Sequence, residues 1–219
     1  MSPAIVAVGG FSSNSGKTTL VCELLRALPG WEAIKMTRGH YRSCGRDPHA
    51  CCVSPLLGEE PLVLSGREAT YAGGKDTGRY WEAGAANVHW VVSTDAQVAE
   101  GFALARGRVR AEGVLVEGNS FLKHADADFV VMVARPDRLQ IKPTARRALG
   151  KTSAIYVSQE GDRPGPGAVE KFLCGLRAAD AAGALAPGAP VYTRETLTQL
   201  VARIRAAQNL KGVAAGRAV

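Results

Sequence analysis

The sequence predicts an α/β fold with a doubly wound, mostly parallel sheet. Three observations carry this. Short apolar, β-branched runs recur along the 219 residues: AIVAV (4–8), WEAIKM (31–36), PLVLS (61–65), VHWVVS (88–93), GVLVEG (113–118), DFVVMVA (128–134) and TSAIYVS (152–158). Several are apolar on both faces, the pattern of a parallel strand covered on both sides. Helical periodicity falls between the runs, and strands alternating with helices build parallel sheets.

In chain order, the first run leads through GGFSSNSGKTTL (9–20) into residues 17–28, which place Leu20, Val21, Leu24, Leu25 and Leu28 on one helical face. Residues 37–60 are polar, cysteine-rich and without period, and read as part of an insertion spanning about 37–74. GDRPGPGAV (161–169) is a turn-rich connection, and residues 194–207 repeat the one-faced pattern with Leu197, Leu200, Val201 and Ile204. The chain reads as one domain over 1–210 with an irregular tail at 211–219.

Composition narrows the class. Hydrophobic residues make up 46% and charged residues 21%, enough apolar material for a full core. The formal net charge of +7 favours anionic partners such as nucleotides. No Lys/Arg block is interleaved with aromatics, which argues against a dedicated nucleic-acid module. No apolar run approaches the ~20 residues that span a bilayer. The N-terminus runs straight into a strand without a basic leader, and the cysteines (Cys22, Cys44, Cys51, Cys52 and Cys174) are odd in number. Both features point to a reducing cytoplasm.

A strand, a glycine-rich turn, Gly16-Lys17-Thr18-Thr19 and an amphipathic helix form the context of a phosphate-binding P-loop. Backbone N–H groups of such a loop and of the following helix converge on phosphate oxygens. Gly10, Asn14, Ser15, Gly16, Lys17, Thr18 and Thr19 are therefore the nucleotide-binding candidates. Lys17 supplies a charge to the β- and γ-phosphates, and the Thr18 hydroxyl suits Mg²⁺. The glycine spacing is G-x5-G-K-T, one residue longer than the common pattern, which would need glycine where Phe11 stands. The whole predicts the three-layer fold of P-loop NTPases.

Turnover would need acidic groups beside the loop. VLVEGNS (114–120) ends an apolar strand in Glu117, in the crevice where α/β folds bind ligands. GGKDTGRYWEAGA (73–85) offers Asp76, either a helix cap or a second acidic ligand, and Arg79, which would contact phosphate or a partner. Lys17, Glu117 and Asp76 are the catalytic candidates, with Thr18, Glu117 and Asp76 on Mg²⁺. His40, Cys44, His49, Cys51 and Cys52 fall within thirteen residues, a set that would bind zinc or an iron–sulfur cluster or simply stay as reduced thiols and imidazoles. Cys22 and Cys174 read as core, His89 as packed, His124 as an isolated loop histidine or one that faces the crevice, and Trp31, Trp81 and Trp90 as packing residues.

SNSGKTTL (13–20), AIKMTRGH (33–40), KDTGRYWEAGA (75–85) and GVLVEG (113–118), in this order, make residues 4–135 resemble the molybdopterin-guanine dinucleotide biosynthesis protein B family, MobB. The resemblance implies a GTP-binding P-loop protein of slow hydrolysis that dimerises and assists a guanylyltransferase in molybdenum-cofactor maturation. It puts Gly16, Lys17, Thr18 and Thr19 on phosphate and Mg²⁺, Asp76 and Glu117 on the metal side, and Lys35 near the second strand's end. The chain departs from the family in its longer phosphate loop, its cysteine-bearing insertion and its longer region after 135. No N-K-x-D guanine-reading motif is present, and residues 158–162 would be the equivalent loop. A more distant resemblance is to dethiobiotin synthetase, in length and loop spacing, although EGNSF (117–121) replaces its Glu-Gly-Ala-Gly-Gly signature and its Lys-Pro is absent. Two alternatives to the GTPase follow: an ATP-dependent small-molecule kinase or ligase, and a nucleotide-gated metallochaperone using the Cys/His loop.

Overall fold

Among the residues described by the computed structural model (2–39, 53–137, 141–158, 167, 170, 172, 174–176 and 188–216), eight strands form one sheet. They are β1 (Ala4–Gly10), β2 (Glu32–Arg38), β3 (Leu62–Ser65), β4 (Val88–Ser93), β5 (Gly113–Glu117), β6 (Phe129–Ala134), β7 (Ala154–Val157) and β8 (Val191–Tyr192). Each apolar run of the sequence overlaps one of the first seven, β1 and β2 running two residues past theirs. β8 is two residues long, too short to show a period.

The order is β3-β4-β2-β5-β1-β6-β7-β8, with every neighbouring pair parallel except β3 and β4. β1 lies between β5 and β6, so the loops leaving all three strands meet at one end of the sheet.

The helices are α1 (Lys17–Ala27), α2 (Arg67–Thr70), α3 (Asp76–Glu82), α4 (Val98–Arg108), α5 (Pro143–Ala148) and α6 (Leu197–Gly216). β1 explains the three layers. Ala4, Val6 and Val8 face a core that includes Leu20, Leu24, Tyr80, Leu200 and Ile204, from α1, α3 and α6. Ile5 and Ala7 face a core that includes Val98 and Phe102 from α4 and Ala145 and Ala148 from α5. Strand residues alternate faces, so an uninterrupted apolar run buries both.

Two expectations need correction. Cys22 is buried, but Cys174 is exposed. Phe172 and Leu176, four apart, take the inward helical face and turn Cys174 away. The tail expected to be irregular from 211 continues α6 through Gly216, since adding a residue to a formed helix gains a backbone hydrogen bond without a new nucleus.

His89 is packed, as expected, and fully buried with its neighbours satisfied. Its Nε2 lies 2.7 Å from Glu32 Oε2 and its Nδ1 2.8 Å from Ser65 Oγ. Glu32 Oε1 accepts from the N–H groups of Arg110 and Ala111, both at 2.9 Å. The network ties β2, β3, β4 and the turn before β5 at the end of the sheet away from the phosphate loop. Trp31, buried, covers Gly113, while Trp81 and Trp90 each donate to a threonine, Thr70 and Thr37.

Glu32→Ala leaves the fully buried His89 imidazole without its partner and frees two half-buried backbone donors. It is expected to lower unfolding free energy by about 3 kcal/mol, read by urea denaturation. A loss below about 1 kcal/mol would show that the network carries little of the fold's stability.

Candidate functional site

The glycine-rich turn after β1 resolves the odd spacing. β1 runs through Gly10, and Phe11 still follows the sheet: its N–H donates to Val133 O at 3.0 Å and its carbonyl accepts from Lys142 N–H at 2.9 Å. The Phe11 ring is buried edge-on against Phe172, with ring centroids 5.2 Å apart. The additional residue is therefore held against β6 and the segment before α5, just past the end of β1. Asn14 (φ 52°) and Gly16 (φ 87°) take the left-handed conformation, which asparagine tolerates better than most residues and glycine adopts freely.

Asn119, just past β5, anchors the turn. Its Oδ1 accepts from Gly10 N–H at 2.8 Å, and its Nδ2 donates to Gly10 O at 2.9 Å. A Cβ on Gly10 would collide with Ser15 Oγ, so a larger residue there would displace the Ser15 side chain. Arg135, held by Asp137, donates to Asn14 O at 3.3 Å. The hydroxyls of Ser12 and Ser15 are buried without a hydrogen-bond partner.

At the mouth of the loop Glu117 is 2% exposed. Its Oε2 accepts from Thr18 Oγ1 at 2.9 Å and from the Tyr80 hydroxyl, and its Oε1 accepts from Lys35 Nζ at 2.6 Å. Lys35 Nζ also lies 2.5 Å from Asp76 Oδ2. Arg79 Nη2 donates to Thr19 Oγ1 at 3.1 Å. Asp76 makes no capping bond to α3, whose N-cap is Lys75. Of the two roles open to Asp76, the geometry has the side chain facing the loop.

Electrostatics follow this packing. Burial works to lower the Lys35 pKa, but the Glu117 and Asp76 carboxylates outweigh it and hold the ammonium above its ordinary value. Burial pushes the Asp76 carboxyl up. Lys35, through charge and hydrogen bond, and then Thr18 and Arg79 outweigh that and bring it below the usual range. Burial pushes the Tyr80 hydroxyl up, reinforced by Glu117, so Tyr80 remains a donor. Lys17 is lowered, chiefly by burial, with Glu117 opposing.

A cleft of about 410 Å³ opens over these groups, lined by residues 13–18 together with Lys35, Asp76, Arg79, Glu117 and Lys142. Seven of the sequence candidates, Asn14, Ser15, Gly16, Lys17, Thr18, Asp76 and Glu117, therefore share one cleft. Gly10 lies beneath the loop, and Thr19 binds Arg79 behind it. His124 is exposed in a neighbouring pocket. His40, Cys44, His49, Cys51 and Cys52, and residues 159–162 of the expected base-reading loop, lie outside the described residues.

Sequence reasoning missed Tyr80, Asn119 and Lys142. Tyr80 stands four residues after Asp76, on the same helical face. Asn119 follows the Glu117-Gly118 strand end. Lys142 precedes Pro143, the first residue of α5. Those positions were legible, but their partners are distant in sequence.

No family model matches this chain, and no curated protein matches it. Among solved structures, HypB from Helicobacter pylori in complex with nickel is similar at TM-score 0.55 and 12% identity, over 96% of this chain and 89% of that one. LpxK from Aquifex aeolicus in complex with ATP matches at TM-score 0.49 and 17% identity, over 88% of this chain. This chain spans about half, 54%, of the LpxK chain. The likeness to HypB shows the fold, a layered α/β arrangement around a mostly parallel sheet. Among the described residues no helix is long and apolar enough to cross a membrane.

A carboxylate held below its ordinary pKa stabilises the fold above its unfolded value of about 3.9, and this contribution disappears as pH falls through the folded value. The stability gap between wild type and Asp76→Asn is therefore expected to be constant near neutrality and to close as pH drops from about 5 towards 2. Urea denaturation at stepped pH reads it. A gap that stays flat to the acid limit would mean Asp76 is not paired in solution.

Proposed function

We propose that this chain binds a nucleoside triphosphate with Mg²⁺ in the phosphate-loop cleft and turns it over slowly. The observation that supports this is the convergence of the Thr18 hydroxyl and the Glu117 and Asp76 carboxylates, with the Lys35 ammonium between the carboxylates, at the loop's mouth. A hydroxyl with two carboxylates is a hard, all-oxygen donor set that suits Mg²⁺. Lys35 marks the same spot as one that accepts positive charge. Thr18, Glu117 and Asp76 would hold the ion, directly or through water. An ion held there would supply positive charge against the charge that develops on the phosphates.

The chain's own groups would do the rest. Loop N–H groups would hold the phosphates, and the half-buried Lys17 would carry its charge to the β- and γ-oxygens. Tyr80 and Lys35 fix the orientation of Glu117. Arg79 and Lys35, both lining the cleft, would add positive charge to the walls around a bound triphosphate. These are positioning and charge effects, which dominate phosphoryl chemistry.

The resemblance to MobB supports the finer reading: GTP as the favoured nucleotide, and an accessory role to a guanylyltransferase in molybdopterin guanine dinucleotide synthesis, as a homodimer. One observation favours a second reading, an ATP-dependent small-molecule kinase or ligase: the cleft continues past Lys17 and Lys142 into a further groove.

Titration with GTP and with ATP, each with Mg²⁺, followed by phosphate release, separates these. Preference for GTP with slow release is expected. ATP preference, or release that requires an added metabolite, would favour the kinase or ligase. Lys17→Ala is expected to weaken triphosphate binding at least about a hundredfold while circular dichroism stays native. Binding and turnover like the wild type in this variant would overturn the phosphate-loop assignment.

A further inference from the structure

We propose that the basic groove running from Lys17 and Lys142 to Arg38, Lys123 and Arg147 is a subsite for the phosphate group of a small phosphomonoester, seated beside the nucleotide's terminal phosphate. The position beside the nucleotide rests on the nucleotide reading above. The subsite itself stands on the groove.

Two pockets, of about 140 and 100 Å³, make the groove. Arg38, Asn119, Ser120 and Thr144 line both, so they are continuous. Lys17 and Lys142 line the first pocket and also the phosphate-loop cleft. A ligand in the groove would therefore share those two ammonium groups with whatever occupies the loop.

Charge selects the ligand. The first pocket is lined by Lys17, Arg38 and Lys142 with no carboxylate. The outer pocket holds Arg38, Lys123 and Arg147 against one carboxylate, Asp95, which lies 2.9 Å from Arg38 Nη1. In the outer pocket, three cations less one anion leave about two positive charges, matching the −1.5 to −2 of a phosphomonoester at neutral pH. The Lys142 pKa is lowered, first by burial and then by the charge of Arg38. An anion between these two cations would relieve that repulsion. Ser120 and Thr144 add hydroxyls, and His124 a ring nitrogen, to the same walls. The phosphate-loop cleft differs in kind, since Glu117 and Asp76 answer its cations.

The test is calorimetric titration of the full chain, saturated with a non-hydrolysable triphosphate and Mg²⁺, using glycerol 3-phosphate, inorganic phosphate and acetate as probes. Saturable binding of both phosphates is expected, with acetate weaker by at least about fivefold. Arg147→Glu and Lys123→Glu, both at exposed positions outside the nucleotide cleft, are each expected to weaken phosphate binding at least about tenfold. Triphosphate affinity should stay within about twofold in both. No saturable binding, charge-reversal variants that bind like wild type, or acetate equal to phosphate would overturn the proposal. A wild-type protein that takes no triphosphate would refute the nucleotide reading instead. Phosphate titration of the nucleotide-free wild type against the two variants would then decide the subsite.

Discussion

A buried carboxylate organises this molecule. Glu117 is almost fully removed from water, and an ionised carboxylate in that position is tolerable only with donors on its oxygens. Three side chains supply them: Thr18 from α1, Lys35 from β2 and Tyr80 from α3. Satisfying one charge at the end of β5 thus determines where three other elements must lie. Lys35 passes the constraint on to Asp76, and Arg79, one turn along α3, reaches Thr19 on α1.

The phosphate loop depends on this arrangement from its other side. Asn119, two residues past Glu117, holds the Gly10 backbone through both its donor and its acceptor. The same strand end therefore sets the acidic group and the start of the loop. Phe11 completes the support by continuing β1 along β6 and burying its ring against Phe172. The longer glycine spacing costs no precision, because the additional residue is fixed by backbone hydrogen bonds on both its N–H and its carbonyl.

The far end of the sheet carries a second buried polar group, the Glu32–His89–Ser65 chain, with a different consequence. Its partners are strand and turn atoms already fixed by the ladder, and it lies remote from the cleft. It secures the antiparallel β3 to the parallel body of the sheet. The cleft end, by contrast, gathers Lys17, Lys35, Arg79 and Lys142 around two carboxylates, a balance that suits an anionic ligand accompanied by a cation.

By itself the sequence determined the strands through Val157, the one-faced helices at 17–28 and near 200, the loop from Gly10 to Thr19, and the pairing of a strand-end Glu117 with Asp76 as acidic candidates. These are local signals: a period of two or 3.6, a glycine in a turn, a carboxylate closing an apolar run. Only the tertiary structure decided that β3 runs antiparallel, that Asp76 faces Lys35 and not its own helix end, and that Cys174 points outward. The same holds for Tyr80, Asn119 and Lys142, which join a site built largely from residues distant in sequence. The physical reason is common to all of them. A side chain's partner is chosen by which strand ends the sheet order brings together, and that order arises from packing two apolar faces at once, which no local window of sequence contains.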